Sequence, residues 1–340
     1  MDTDEIGNLS IAADELAPPL YYTAFIGAPE LVVNILHLGA DVNAQGGRYG
    51  NALQLASACG HEKVVQILLD AGVDVNAQGG HYSNALQAAS ARGHEKVVQI
   101  LVDAGVDVDA QGGEYSNALQ AASACGHEKV VQILLDAGAD VNAQGGHYSN
   151  ALQAASARGH EKVVQILVDA GVDIDAQGGH YGNALCTASE GGHEKVVQIL
   201  VDAGADVNAQ GGYYSYALQL ASYWGHEKVV QILLDAGVDV NAQGGHYGNA
   251  LQLASACGHE KGVQILLDAG ADVNAQGGEY GNALQAASEG GHETVMQMLL
   301  DNGADVNAQG GHYGNALQAA SYWSHEKIVQ MLLKRGAKAA

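Results

Sequence analysis

Apolar and polar positions fall into two short helical registers that recur along the chain. Residues 51–80 serve as the type segment. Ala52-Leu53-Gln54-Leu55-Ala56-Ser57-Ala58-Cys59 predicts a short helix whose small residues let a neighbouring helix come close. Asn51 stands where a helix N-cap belongs, with a side-chain oxygen able to accept from an orphan N–H. Gly60 stops the helix in the left-handed conformation. Glu62 opens a second helix, where a carboxylate suits the positive end of the dipole. Val64, Val65, Ile67, Leu68 and Leu69 give that helix a wide apolar face, and Gly72 ends it. Val73-Asp74-Val75-Asn76-Ala77 is expected to run extended, and Gly79-Gly80 allows a tight reversal into a protruding hairpin.

The same phrase returns with a fixed step. Ala-Gln-Gly-Gly begins at 44, 77, 110, 143, 176, 209, 242, 275 and 308, always 33 residues apart. Gly-His-Glu keeps this step from Gly60 to Gly291, and Ser324-His325-Glu326 is its last copy. Residues 44–340 therefore divide into nine repeats of 33, numbered one to nine below, preceded by a degenerate repeat over 18–43. Residues 1–17, with Ile6, Leu9, Ile11 and Leu16, are expected to form an acidic segment and a capping helix. Lys334, Arg335 and Lys338 supply a polar face at the other end.

Helix, turn, helix and hairpin at period 33 resembles the ankyrin family over residues 18–340. The family's Thr-Pro-Leu-His stands here as Asn84-Ala85-Leu86-Gln87, and its Gly-Ala-Asp-Val-Asn-Ala is present unchanged at 138–143. The resemblance implies an all-α repeat solenoid with β-hairpin fingers, stacked in a curve and held by nearest-neighbour interfaces. Helix layers about 8–10 Å apart would give an arc roughly 80–100 Å long. The wording Gln-Gly-Gly-x-Tyr-(Gly/Ser)-Asn-Ala-Leu-Gln is similar to fungal ankyrin arrays, including those C-terminal in NACHT-type receptors. No Gly-x-x-x-x-Gly-Lys-(Ser/Thr) phosphate loop accompanies it here.

Charge narrows the partners. The formal net charge is −24, with only 14 Lys and Arg. That excludes phosphate neutralisation, and so points away from nucleic acid and anionic membranes. It favours basic protein surfaces. No apolar run reaches the roughly 18 residues of a membrane span. The start, Met1-Asp2-Thr3-Asp4-Glu5, lacks the pattern of a secretory signal. Cys59, Cys125 and Cys257 share one column and Cys186 lies in another, so disulfides are not expected; cytosol or nucleus fits.

Candidate chemistry is sparse. His61-Glu62 is followed by Lys63-Val64-Val65, so the second histidine of a His-Glu-x-x-His zinc site is missing; the repeated histidine is expected to bond backbone between repeats. Gly-Gly-x-Tyr-Gly-Asn lacks the tandem short period and the aspartates of calcium-binding nonapeptides. Hairpin-tip histidines His81, His147, His180, His246 and His312 are spaced too far apart for a shared zinc and are expected to meet solvent or a partner. The column Asp70 to Asp301 offers one carboxylate per layer, not the pair that acid–base work needs. No serine or cysteine has a base at matched spacing. No catalytic role, metal or cofactor is expected.

The information lies where the copies differ. In ankyrin relatives, partners are met by hairpin tips and by the last two residues of the first helix. Here that pair reads Ala58-Cys59, Ala91-Arg92, Ala124-Cys125, Ala157-Arg158, Glu190-Gly191, Tyr223-Trp224, Ala256-Cys257, Glu289-Gly290 and Tyr322-Trp323. Glu-Gly followed by Tyr-Trp occurs twice, three repeats apart, as copying of multi-repeat blocks would produce. The richest segment holds Tyr213, Tyr214, Tyr216, Tyr223 and Trp224, and Tyr216 replaces the N-cap asparagine. The expected binding patch is Tyr213, Tyr216, Tyr223 and Trp224, flanked by Arg158, Glu190 and His246, with Arg92, Tyr322 and Trp323 as further contacts. The expected role is a monomeric, non-enzymatic protein-binding scaffold. Its rivals are the spacer or sensor arm of a larger receptor, and a designed array without a natural partner. Gly262, where seven other repeats have valine, argues against design and marks the weakest expected layer.

Overall fold

The computed structural model describes residues 17–180, 182–212 and 216–338. The expected capping helix over the first 17 residues lies outside them, apart from Ala17, and so do Tyr213 and Tyr214. Among the described residues the chain forms 20 helices in helix–turn–helix pairs, from Pro19–Ile26 with Pro29–His37 to Ala316–Tyr322 with Glu326–Lys334. First helices pack on neighbouring first helices and second on second. The chain falls into two compact parts. One ends at Ala155 and includes Lys162–Val172; the other comprises Ser156–Glu161 and the residues from Asp173 onward.

Each helix starts and stops where its sequence directs. Asn51 accepts from the Gln54 N–H at 2.9 Å, and Gln54 Oε1 accepts from the Asn51 N–H at 2.8 Å, a reciprocal cap. Gly60 closes the helix at φ +74°. A methyl group there would also sit 2.6 Å from the His94 imidazole of the next repeat, so two constraints demand glycine. The second helix Glu62–Asp70 buries Val64, Val65 and Leu68. In repeat nine the matching residue is Ser324 at φ +60°.

Polar ladders join successive repeats. The Nε2–H of Gln54 donates to the carbonyls of Ala77, Gly79 and Ser83 in the following finger. Asn43 Oδ1 accepts from the Asp74 N–H at 2.7 Å, and Asn76 Oδ1 from the Asp107 N–H at 2.8 Å. Lys96 pairs with Glu62 at 3.4 Å and Lys228 with Glu194 at 3.2 Å; both pairs are exposed and worth little individually.

Two sequence expectations change in detail. Val73–Ala77 is not extended throughout: it turns at Val75-Asn76, because Asp74 Oδ1 accepts from the Asn76 N–H at 3.0 Å. The fingers hold no strands among the described residues. Each is a tight loop closed at most by an isolated bridge, such as Gly112 with Ser116 or Gly277 with Gly281, since so few residues separate the two arms.

Candidate partner-binding surface

Where another repeat follows, the variable pair at the end of a first helix is anchored by the backbone carbonyl of its first residue. His94 Nε2–H donates to the Ala58 carbonyl at 3.0 Å, and His127 to the Ala91 carbonyl at 3.1 Å. In the second part, His226 donates to the Glu190 carbonyl at 2.8 Å, His259 to that of Tyr223 at 2.9 Å, and His325 to that of Glu289 at 3.0 Å. Thus the repeated histidine bonds backbone between repeats, as its pattern led one to expect. Burial holds the His94 pKa below its ordinary value, which suits the neutral donor. The bond takes the carbonyl and leaves the side chain free to vary.

The alanines of these pairs are mostly buried, whereas the larger aromatic side chains are open. Trp224 is 51 % exposed and Trp323 50 %, while Tyr322 reaches 70 %. Tyr223 and Trp224 meet edge to face at 5.2 Å, and Tyr322 and Trp323 at 5.5 Å, so the two pairs are built alike. Trp323 Nε1–H also donates to the Tyr313 hydroxyl at 3.1 Å, and the Tyr313 ring lies 5.0 Å from that of Tyr322. Tyr216 caps nothing: its helix, Ala217–Trp224, has no side-chain cap, and the tyrosine hydroxyl instead accepts from Gln210 Nε2–H at 2.9 Å.

The remaining expected contacts are distributed. Glu190 is half-buried and ends the first helix of its repeat, whereas Arg158 is exposed and directly follows the first helix Ala151–Ala157. His246, at a fingertip, pairs with Glu279 of the next finger at 2.9 Å. Arg92 belongs to the other compact part, where its Nε–H donates to Tyr82 at 3.1 Å and its guanidinium lies 6.0 Å from that ring. Tyr82 in turn stacks on Tyr49 at 5.9 Å, as Tyr247 does on Tyr280 at 5.7 Å.

Sequence reasoning missed this stacking of finger tyrosines, although their period is plain. Burial, with Cys125 alongside, pushes the Tyr115 pKa up to about 12. It also passed over Glu289. Burial, then the neighbouring Glu279, raises the Glu289 pKa, with His312 opposing. Cys186 replaces the bridging glutamine of its repeat; it is fully buried, which pushes its thiol up to about 12 and makes it inert as a nucleophile.

Shallow open grooves recur between second-helix N-termini, for example at Gly192, Glu194, His226 and Lys228. Their lining is nearly the same from copy to copy, with Ser324 and Ile328 replacing glycine and valine in the last, so they offer little specificity. Among the described residues, no group of three His, Cys, Asp or Glu side chains is placed to hold a metal ion. No described helix is long and apolar enough to cross a membrane.

The family description "Ankyrin repeats (3 copies)" matches residues 20–112, 77–145, 119–211, 211–277 and 276–340. The chain belongs to the ankyrin repeat family. Ankyrin arrays are generally non-catalytic protein–protein interaction modules, and the all-α repeat architecture agrees with that membership. A stretch of 61 residues is 54 % identical to "Azaphilone pigments biosynthesis cluster protein L" of Monascus ruber. That match covers 16 % of this chain and 13 % of the Monascus protein, a small share of either.

Proposed function

We propose that this ankyrin array is a monomeric, non-enzymatic scaffold of the cytosol or nucleus that binds a protein partner through its fingertips and the groove beside them. One observation carries the reading. The two positions at the end of the first helix differ most between repeats, and where they hold tryptophan the indole is half-exposed, at Trp224 next to a Tyr223 carbonyl tied to His259. Tyr213, Tyr216, Tyr223 and Trp224 form the main patch, with Arg158, Glu190 and His246 beside it and Arg92, Tyr322 and Trp323 as further contacts. Half-exposed aromatics of this kind are typical interface anchors.

The test uses Trp224→Ala. A partner retained by the native chain, then purified, should bind the variant about thirtyfold more weakly, as for an anchor worth at least ~2 kcal/mol. Melting should change little, because half of the indole already meets solvent. A large stability loss with intact affinity would move Trp224 from the groove to the core.

The fungal wording of the repeat favours a second reading, a spacer or sensor arm of a larger NACHT-type receptor. A parent transcript encoding a phosphate loop ahead of the array would support it; a transcript without one would remove it.

A further inference from the structure

The Glu-Gly then Tyr-Trp succession is more than a copying scar, because in both copies the structure sets the tyrosine and tryptophan rings edge to face. In repeats five and six, Glu190 and Gly191 precede Tyr223 and Trp224 by one layer; in repeats eight and nine, Glu289 and Gly290 precede Tyr322 and Trp323 likewise. In each case the glutamate's backbone carbonyl accepts from the histidine of the aromatic repeat, which ties the two layers together at that point. The residue one layer before each tryptophan is glycine, where a methyl group would sit 2.5 Å from the imidazole of its own repeat's histidine. The two indoles are almost equally exposed, at 51 % and 50 %.

A carboxylate one layer before an open indole and a phenol ring suits one chemistry: a cationic side chain, attracted by the charge and seated against the ring face. The Glu289 carboxylate makes no hydrogen bond or ion pair among the described residues, and Glu279 repels it, so an arriving cation would relieve that repulsion. The net charge of −24 draws basic segments to the same surface.

We propose that these two places are copies of one subsite, each reading an arginine or lysine, and that the partner presents a basic extended segment spanning both. Resting on the protein-binding reading above, this adds the partner's chemistry and spacing. Trp224 and Trp323 stand three layers apart. At about 8–10 Å per layer the subsites are separated by roughly 24–30 Å. An extended chain rises about 3.3 Å per residue, so the two cations fall about eight residues apart. Both subsites lie in the same compact part of the molecule.

The chain has two tryptophans, one in each subsite, so its own fluorescence reports them. Trp224→Phe leaves Trp323 as the sole reporter, and Trp323→Phe leaves Trp224. The probes are synthetic peptides with two arginines eight residues apart, the same arginines four apart, and glutamines in their place, titrated into the full chain at about 0.15 M salt to suppress loose attraction. Both reporters should respond to the eight-spaced peptide. Four-residue spacing, Glu190→Gln or Glu289→Gln should each weaken binding at least tenfold, since bridging two sites adds roughly 10²–10⁴ in avidity. Asp103→Asn, an equal charge change on an exposed second-helix carboxylate, should leave affinity within about twofold. Affinity independent of spacing, equal weakening by Asp103→Asn, response at one tryptophan only, or no response at all would overturn the proposal. A purified partner that depends on Trp224 but contacts it through a segment without basic residues would overturn it too, and would leave the protein-binding reading standing.

Discussion

The two compact parts use one framework with different strictness. In the part that ends at Ala155, the helix caps Asn51, Asn84, Asn117 and Asn150 and the bridging residues Gln54, Gln87, Gln120 and Gln153 are all kept. From Asp173 onward the framework departs at Cys186 for glutamine, Tyr216 for asparagine, Gly262 for valine and Thr294 for lysine. The same part holds the exposed groove aromatics Trp224, Tyr322 and Trp323. Cys186 and Tyr216 lie in the two repeats that build the first acid–aromatic pair, and Thr294 in the repeat that opens the second. Since each repeat leans only on its neighbours, such losses stay local and the array tolerates them. The comparison teaches that stability and recognition are carried by different columns of the repeat, and that framework is given up beside recognition.

The largest expected effect tests what the parts share. Gly93→Ala and Gly225→Ala each force a side chain into the left-handed region, at φ +72° in both, with the new Cβ 2.5 Å from His127 Nδ1 in one and 2.6 Å from His259 Nδ1 in the other. Left-handed strain of about 1–2 kcal/mol and a disturbed histidine bond of about 1 kcal/mol should together cost roughly 2–3 kcal/mol in urea unfolding. Loss in one part alone would break the idea of a common framework.

Next comes Gly262→Val. The site is buried, and a Cβ there would meet His259 Cβ at 3.6 Å and Ala254 Cβ at 4.0 Å, ordinary contacts with room to fill. Filling it should add about 1.5–3 kcal/mol. In the native chain, amides of Glu260–Asp268 should exchange faster than those of Glu227–Asp235. Equal protection, or no gain from valine, would show the layer to be compensated elsewhere.

Tyr216→Asn should restore a cap and raise stability by roughly 0.5–2 kcal/mol. Partner affinity should fall in the same variant. A gain in stability with affinity unchanged would remove Tyr216 from the binding patch.

The smallest effect is on pH. Burial lowers the His94 pKa below the ordinary 6.5, so the unfolded chain takes up the proton first. Its contribution is complete above about pH 6.5 and is lost as pH falls through the lower folded value. Melting temperature should therefore drop on acidification from pH 7 to pH 5, and less steeply in His94→Asn. Identical slopes would rule His94 out as a source.

Most of the fold was legible because its determinants are local. Asn51 as a cap, Gly60 as a stop and the apolar face of Glu62–Asp70 follow from a few neighbouring residues, and the period multiplies each signal. The turn at Val75-Asn76 was hidden because it depends on one side-chain bond from Asp74. The groove was legible as a column of variable residues and not as a geometry. That Gln54 reaches three carbonyls of the next finger depends on a distance between repeats, and that Arg92 settles on Tyr82 depends on how a finger lies against its own repeat's first helix; spacing alone supplies neither.

The histidine bond to a carbonyl has an evolutionary consequence. Because it ignores the side chain at the variable position, any repeat can follow any other without repair of the junction. Unequal recombination between copies, with crossovers at matching points of the 33-residue period, yields a chain whose every interface is already formed. Repeat number and order can then change in single genetic events, and with them the length and sequence of the surface offered to a partner. Selection on such a protein acts on shuffled blocks as well as on point changes, and the twin Glu-Gly/Tyr-Trp copies are the kind of product it would leave.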